Sequence, residues 1–147
     1  MNNISRAFSV GALVLLVAAR VVAQEPISLS RQDQKMVPVT AYLPKGADCR
    51  GIAVISPGAG GSEKGYQYLG KAMSSFGYFT VVVGRQESGR RALREHVRGN
   101  GLLKGLSELI TDPNAYRGRS MDIAAAKQWA ATQCHATESV LIGHSMG

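Results

Sequence analysis

The sequence predicts an α/β fold, a mostly parallel sheet with flanking helices entered through antiparallel strands, and three observations carry that prediction. Gly51-Ile52-Ala53-Val54-Ile55, Tyr78–Val83 and Ser139-Val140-Leu141-Ile142 are short, almost uninterrupted apolar runs, the pattern of strands covered on both faces. Segments with helical spacing separate them, and a repeated strand–loop–helix–strand order implies parallel pairing with the helices outside. Ahead of them, Pro26–Leu29 and Met36–Leu43 are partly alternating runs divided by Arg31-Gln32-Asp33-Gln34, which reads as an antiparallel opening pair.

Taken in order, the first element is a leader. Met1–Ala23 has a short basic start with Arg6, an apolar run Val10–Ala19, and Val21-Val22-Ala23 before a cut at Gln24, the layout of a secretory signal peptide. A membrane helix needs about 20 apolar residues, and Arg20 interrupts this run, so no stable membrane anchor is expected. The protein is expected to be secreted or periplasmic, with residues 24–147 belonging to a single domain. At 147 residues and 45% hydrophobic content the chain is long enough for one real core.

Tyr66–Phe76 reads as a helix with Tyr66, Leu69, Met73 and Phe76 on one apolar face and Gly77 as its stop. Arg90–Val97 and Leu102–Ile110 are helical segments broken by Gly99-Asn100-Gly101, and Asp112-Pro113-Asn114 ends the second. Ser120–Thr132 is the clearest helix, with Ser120 as its cap, five alanines favouring it, and Met121, Ala125 and Trp129 on one face.

The formal charge of +7 falls to +5 once Arg6 and Arg20 leave with the leader. Arg85, Arg90, Arg91, Arg94 and Arg98 cluster, relieved by Glu87 and Glu95. The plain reading is a solvated helix face; the other is a patch that guides an anionic substrate or surface. No aromatic residue is interleaved there and no nucleic-acid motif surrounds it, so nucleic acid is not an expected partner.

The run Ser139–Ile142 leads straight into Gly143-His144-Ser145-Met146-Gly147. Gly-x-Ser-x-Gly fixes only three positions, so its context decides. At the end of a buried strand, a sharp turn toward a helix would hold Ser145 in a strained conformation with its hydroxyl above the carboxyl edge of the sheet, and glycines are what the flanks of such a turn need. A serine that attacks a carbonyl also needs donors for the oxyanion. The Met146 N–H is one candidate. The loop Pro57-Gly58-Ala59-Gly60-Gly61 supplies the other, and we assign it to the Ala59 N–H; the alternative is that these glycines only make a tight turn. Dinucleotide binding fails on detail, because Glu63 stands at the third glycine of that fingerprint and no acidic residue ends the next strand at Gly84-Arg85. A phosphate loop fails as well, since Tyr66 replaces its lysine.

The elbow GHSMG, the loop SPGAGG, the helix between them and Tyr116-Arg117-Gly118-Arg119-Ser120-Met121-Asp122 together resemble the α/β-hydrolase superfamily. Within it the chain is most similar to the branch of dienelactone hydrolases, chlorophyllases, cutinase-like polyester hydrolases and platelet-activating-factor acetylhydrolases. The resemblance spans nearly all of residues 24–147 and implies the N-terminal part of an α/β-hydrolase fold. It implies a serine hydrolase of small-molecule or polymeric carboxylic esters, working through an acyl-enzyme on Ser145 without metal or organic cofactor. Ser56 occupies the place of the family's usual loop histidine. Ala59 is small where some polyester-cleaving relatives carry an aromatic.

The family's chain order is nucleophile, acid, histidine. The sequence ends two residues after Ser145, so the resemblance implies that acid and general base lie beyond Gly147 and that these residues alone are inactive. The alternative is a non-catalytic truncated or degenerate hydrolase-fold protein. His144 is expected to point away from Ser145, and His96 and His135 read as surface residues. In this fold the strands following Cys49 and Cys134 are neighbours, and the resemblance thereby implies a disulfide between those two cysteines, compatible with export.

Overall fold

The computed structural model describes residues 27–46 and 48–147; the expected leader Met1–Ala23 lies outside the described residues. The elements are β1 (Ile27–Ser30), β2 (Met36–Tyr42), β3 (Gly51–Ser56), α1 (Gln67–Ser75), β4 (Tyr78–Val83), α2 (Arg90–Asn100), α3 (Leu102–Thr111), α4 (Pro113–Gln133) and β5 (Ser139–Gly143). They form one sheet of order β1-β2-β4-β3-β5. β1 and β2 pair antiparallel, as do β2 and β4, whereas β4, β3 and β5 run parallel. This is the expected mostly parallel sheet with antiparallel opening strands.

β3 and β4 are buried at every position, because each has a strand on both sides and helices over both faces. Alternate side chains sort between the faces. Ile52, Val54, Phe79, Val81 and Val83 meet Ala126 and Ala130 of α4, where the Trp129 ring stands edge-on to Phe79 with centroids 5.6 Å apart. Ile55 and Val82 face the other way, packing with Tyr42 against Tyr66 and Leu69. A third cluster at the carboxyl edge joins Leu109 and Ala115 to Met146, with Ala59 and Leu93 packed against it.

Three local expectations change. Helix α4 starts at Pro113, not Ser120: the Asp112 carboxylate accepts from the Asn114 N–H at 2.9 Å, and proline suits a first helical turn because its fixed φ fits and no donor is lost. Ser120 is therefore mid-helix, its hydroxyl donating back to the Tyr116 carbonyl at 3.2 Å, and the fully buried stripe runs through Ala115, Gly118, Arg119, Asp122, Ala126 and Ala130. On α1, Tyr66 and Leu69 pack as expected, but Phe76 is 66% exposed. The buried positions of that helix are Gly70 and Ser74, and a Cβ on Gly70 would stand 2.5 Å from the Tyr42 ring. Finally, Arg90, Arg91, Arg94 and Arg98 are exposed on α2, but Arg85 is buried and lies before that helix.

Cys49, just ahead of β3, is bonded to Cys134, directly after α4, with Cα atoms 5.8 Å apart across 85 residues. The bridge ties the segment entering β3 to the segment entering β5. The outer edge of β5 has no strand partner among the described residues, and its residues alternate between exposed and half-buried.

Candidate active site

β5 delivers the elbow in register, with Gly143 opposite Ser56 at the end of β3. The chain then reverses: the His144 N–H donates to the Ser56 carbonyl at 3.2 Å and the Gly147 N–H to the His144 carbonyl at 2.8 Å. Within this turn Ser145 has φ +58°, a left-handed conformation that is costly for a side chain with a Cβ and is found where surrounding structure enforces it. Both flanking glycines are obligatory. A Cβ on Gly147 would stand 1.9 Å from the Ser56 carbonyl oxygen, against the neighbouring strand. On Gly143 the obstacle is instead the turn's own far end, the Gly147 oxygen at 2.4 Å. The result is an exposed serine beyond the carboxyl edge of the sheet.

The glycine-rich loop after β3 is pressed against this turn. A Cβ on Gly58 would lie 2.9 Å from the His144 carbonyl oxygen and 3.0 Å from the Ser145 Cβ. The loop is held by the Gly60 N–H, which donates to the Ser88 carbonyl at 2.8 Å, and by the Gly61 N–H, which donates to Gly58 at 3.0 Å. Ala59 packs against the cluster of Leu109, Ala115 and Met146, and with Gly58 pressed on Ser145 the two residues expected as oxyanion donors belong to segments in mutual contact. Among the described residues neither the Ala59 nor the Met146 N–H donates to a backbone carbonyl. Both N–H groups thus stand without a backbone partner in the segments that flank Ser145.

Ser56, where the family resemblance expects histidine, is fully buried. Its carbonyl anchors the elbow, and its hydroxyl accepts from the Arg85 guanidinium. The histidines are elsewhere: the His144 ring sits 5.6 Å from the Tyr66 ring, centroid to centroid. His96 Nδ1 lies 2.9 Å from the Ala92 carbonyl on α2. His135 is exposed ahead of β5, at the opposite end of that strand from Ser145. Among the described residues no histidine or carboxylate hydrogen-bonds Ser145, and no cluster of three or more His, Cys, Asp or Glu is placed to hold a metal ion.

Behind the loop lies a polar network that the sequence did not signal. The Arg31 guanidinium, after β1, bonds Asp122 of α4 at 2.8 Å and Glu87 at 2.7 Å, and its Nε bonds Asp33 at 2.9 Å. Lys35 adds a contact to Glu87 at 2.9 Å. Hydrogen bonding to Arg31 holds the Glu87 carboxyl down at about 2. Burial acts oppositely on Asp122, pushing it up to about 6 against the pull of Arg31. The segments that hold Arg31 and Asp33, Glu87 and Asp122 are too far apart in sequence for spacing to reveal that they meet.

No family model matches the chain, and no curated protein matches it. Solved structures do. A highly thermostable carboxyl esterase from Bacillus coagulans, in complex with glycerol, superposes with TM-score 0.59 at 20% identity over 84% of this chain and 36% of its own. An alpha-beta serine hydrolase homologue from Coxiella burnetii gives 0.55 at 18% identity, covering 83% and 52%. A lipase in open form gives 0.51 at 20% identity, covering 85% and 37%. The chain thus spans between about a third and a half of the length of these structures. With its strand order and its helices on both faces, the chain has the N-terminal part of the α/β-hydrolase fold.

Proposed function

We propose that this chain supplies the nucleophile half of a secreted or periplasmic serine hydrolase that cleaves carboxylic esters, small or polymeric, through an acyl-enzyme on Ser145. The left-handed Ser145 between two glycines that admit no Cβ is the observation that carries this reading. In the reaction, Ser145 Oγ attacks the ester carbonyl, a general base takes its proton, and the carbonyl oxygen becomes an oxyanion. The N–H groups of Met146 and Ala59 receive that charge. Without a base bonded to Ser145, the described residues hold the nucleophile and its donors but not the group that activates it.

Export rests on the layout of Met1–Ala23 and is supported by the Cys49–Cys134 bridge, since disulfides persist in oxidising compartments. Among the described residues no helix is long and apolar enough to cross a membrane. The chemistry proposed needs neither metal nor organic cofactor.

A fluorophosphonate probe tests the reading, because only an activated serine attacks its phosphorus and expels fluoride, leaving a phosphonylated serine. The 147-residue chain is expected not to label, and a longer version carrying an acid and a histidine in frame after Gly147 to label strongly on Ser145, with Ser145→Ala abolishing that signal. Failure of the longer version to label would favour the second reading, a non-catalytic hydrolase-fold protein. The unpartnered Ser145 and the open edge of β5 favour that reading for residues 27–147 taken alone.

A further inference from the structure

Two arginines sit inside the protein with no carboxylate bonded to either among the described residues. Arg85, the second residue beyond β4, is 8% exposed, and Arg119, on the inner face of α4, is 6% exposed. Each finds a serine hydroxyl: Arg85 Nη2 donates to Ser56, and Arg119 Nη2 to Ser88 at 3.5 Å. Arg85 Nε and Nη1 and Arg119 Nε are buried without a hydrogen-bond partner among the described residues. Arg31 shows the contrast, with contacts to three carboxylates.

Buried polar groups in folded proteins are partnered almost without exception, and a buried charge needs a counter-charge. Asp122 is the fully buried carboxylate nearby, and its bonded partner is Arg31. Burial, followed by the charge of Arg119, lowers Arg85 to about 10, and burial lowers Arg119 as well; a guanidinium keeps its charge at neutral pH. Water would satisfy the donors but would leave the paired positive charge standing. Arg85 follows β4 in the middle of the sheet and Arg119 lies on α4, which packs over β3 and β4, and a recess lined by Pro38, Arg85, Gln86, Arg91, Ala92 and Glu95 leads from solvent to Arg85.

We propose that Arg85 and Arg119 hold one small inorganic anion of chloride's size and charge behind the glycine-rich loop. Its effect reaches the loop through Ser88, whose hydroxyl accepts from Arg119 and whose carbonyl accepts the Gly60 N–H. Ser56 links Arg85 to the elbow in the same way, accepting the guanidinium on its hydroxyl and the His144 N–H on its carbonyl. The proposal is independent of any catalytic reading, and its test is a matter of stability and position.

The test is thermal unfolding of the disulfide-bonded full chain at constant ionic strength, with sodium chloride exchanged for sodium gluconate, whose anion is too large for the site. A saturable rise in Tm with chloride of about 2–4 °C is expected. Arg85→Met and Arg119→Met should each abolish the chloride dependence, whatever they do to Tm itself, since removing a buried charge can stabilise. A flat response in the unaltered protein, or an unchanged dependence in both variants, would overturn the proposal. If the variants do not fold, crystals of the unaltered chain in bromide decide: an anomalous peak in contact with both guanidinium groups supports the site, and ordered water alone overturns it. A bromide peak without a saturable Tm shift marks an adventitious ion only, and also overturns it.

Discussion

Gly58 lies so close against Ser145 that a Cβ added to it would stand 3.0 Å from the Ser145 Cβ and 2.9 Å from the His144 carbonyl oxygen. The loop and the elbow are therefore positioned by each other, through a contact that only a glycine permits. Gly58→Ala is expected to push them apart by a few tenths of an ångström without unfolding the sheet. Displacements of that scale at a nucleophile cost on the order of tenfold to a hundredfold in rate. Fluorophosphonate labelling rates in a version of the protein that labels, with and without the substitution, measure this, and equal rates would show that the contact has no part in the reaction.

The Cys49–Cys134 bridge closes a loop of 85 residues that contains β3, β4 and helices α1 to α4. A crosslink over so long a loop removes much chain entropy from the unfolded state, and Cys49→Ser with Cys134→Ser is expected to lower stability by about 2–4 kcal/mol. Urea midpoints of the oxidised protein and of the double variant provide the comparison. If both thiols of the protein alkylate without prior reduction, the bridge does not form and no loss is expected.

Glu87 and Asp122 pull the pH dependence of stability in opposite directions. Glu87 is held at about 2 by Arg31, below its ordinary 4.5, so the folded state binds fewer protons and Glu87's contribution, complete above about pH 4.5, is lost as pH falls toward 2. Asp122 is lifted by burial to about 6, above its ordinary 3.8. The folded state keeps that proton longer, and its contribution, complete below about pH 3.8, is lost as pH rises through 6. Melting temperatures between pH 2 and 7 should pass through a maximum, and Glu87→Gln should flatten the acid limb while leaving the fall toward pH 6. A fall toward low pH as steep in the variant as in the parent would remove Glu87 from this account.

What the sequence disclosed depended on whether the signal was local. Tyr78–Val83 matches β4 residue for residue because an apolar, β-branched run has few other uses, and Ser145 was found because its motif sits where an apolar run ends. The start of α4 was misread because Asp112-Pro113-Asn114 both ends one helix and begins the next, while Ser120 looks like a cap only until the preceding turns are seen. By spacing Arg85 belongs with the exposed arginines of α2, yet it stands two residues past β4 and is buried. The Arg31 network joins residues up to 91 apart, and only folding brings its charges together.

Leu141 carries the last prediction. It stands opposite Val54 in the parallel pairing of β5 with β3, yet it is 60% exposed, because α4 covers Val54 and does not reach over β5. The strand thus presents an apolar side chain and, on its outer edge, backbone groups with no strand partner among the described residues, the combination that templates pairing with another chain. The 147-residue chain is expected to self-associate at micromolar concentration through β5. Leu141→Lys places a charge in the middle of that edge and should shift the size-exclusion mass toward the monomer while leaving the circular dichroism spectrum unchanged. A parent chain that already elutes as a monomer would mean that β5 is not an adhesive edge, and an oligomer indifferent to Leu141→Lys would put the contact on another surface.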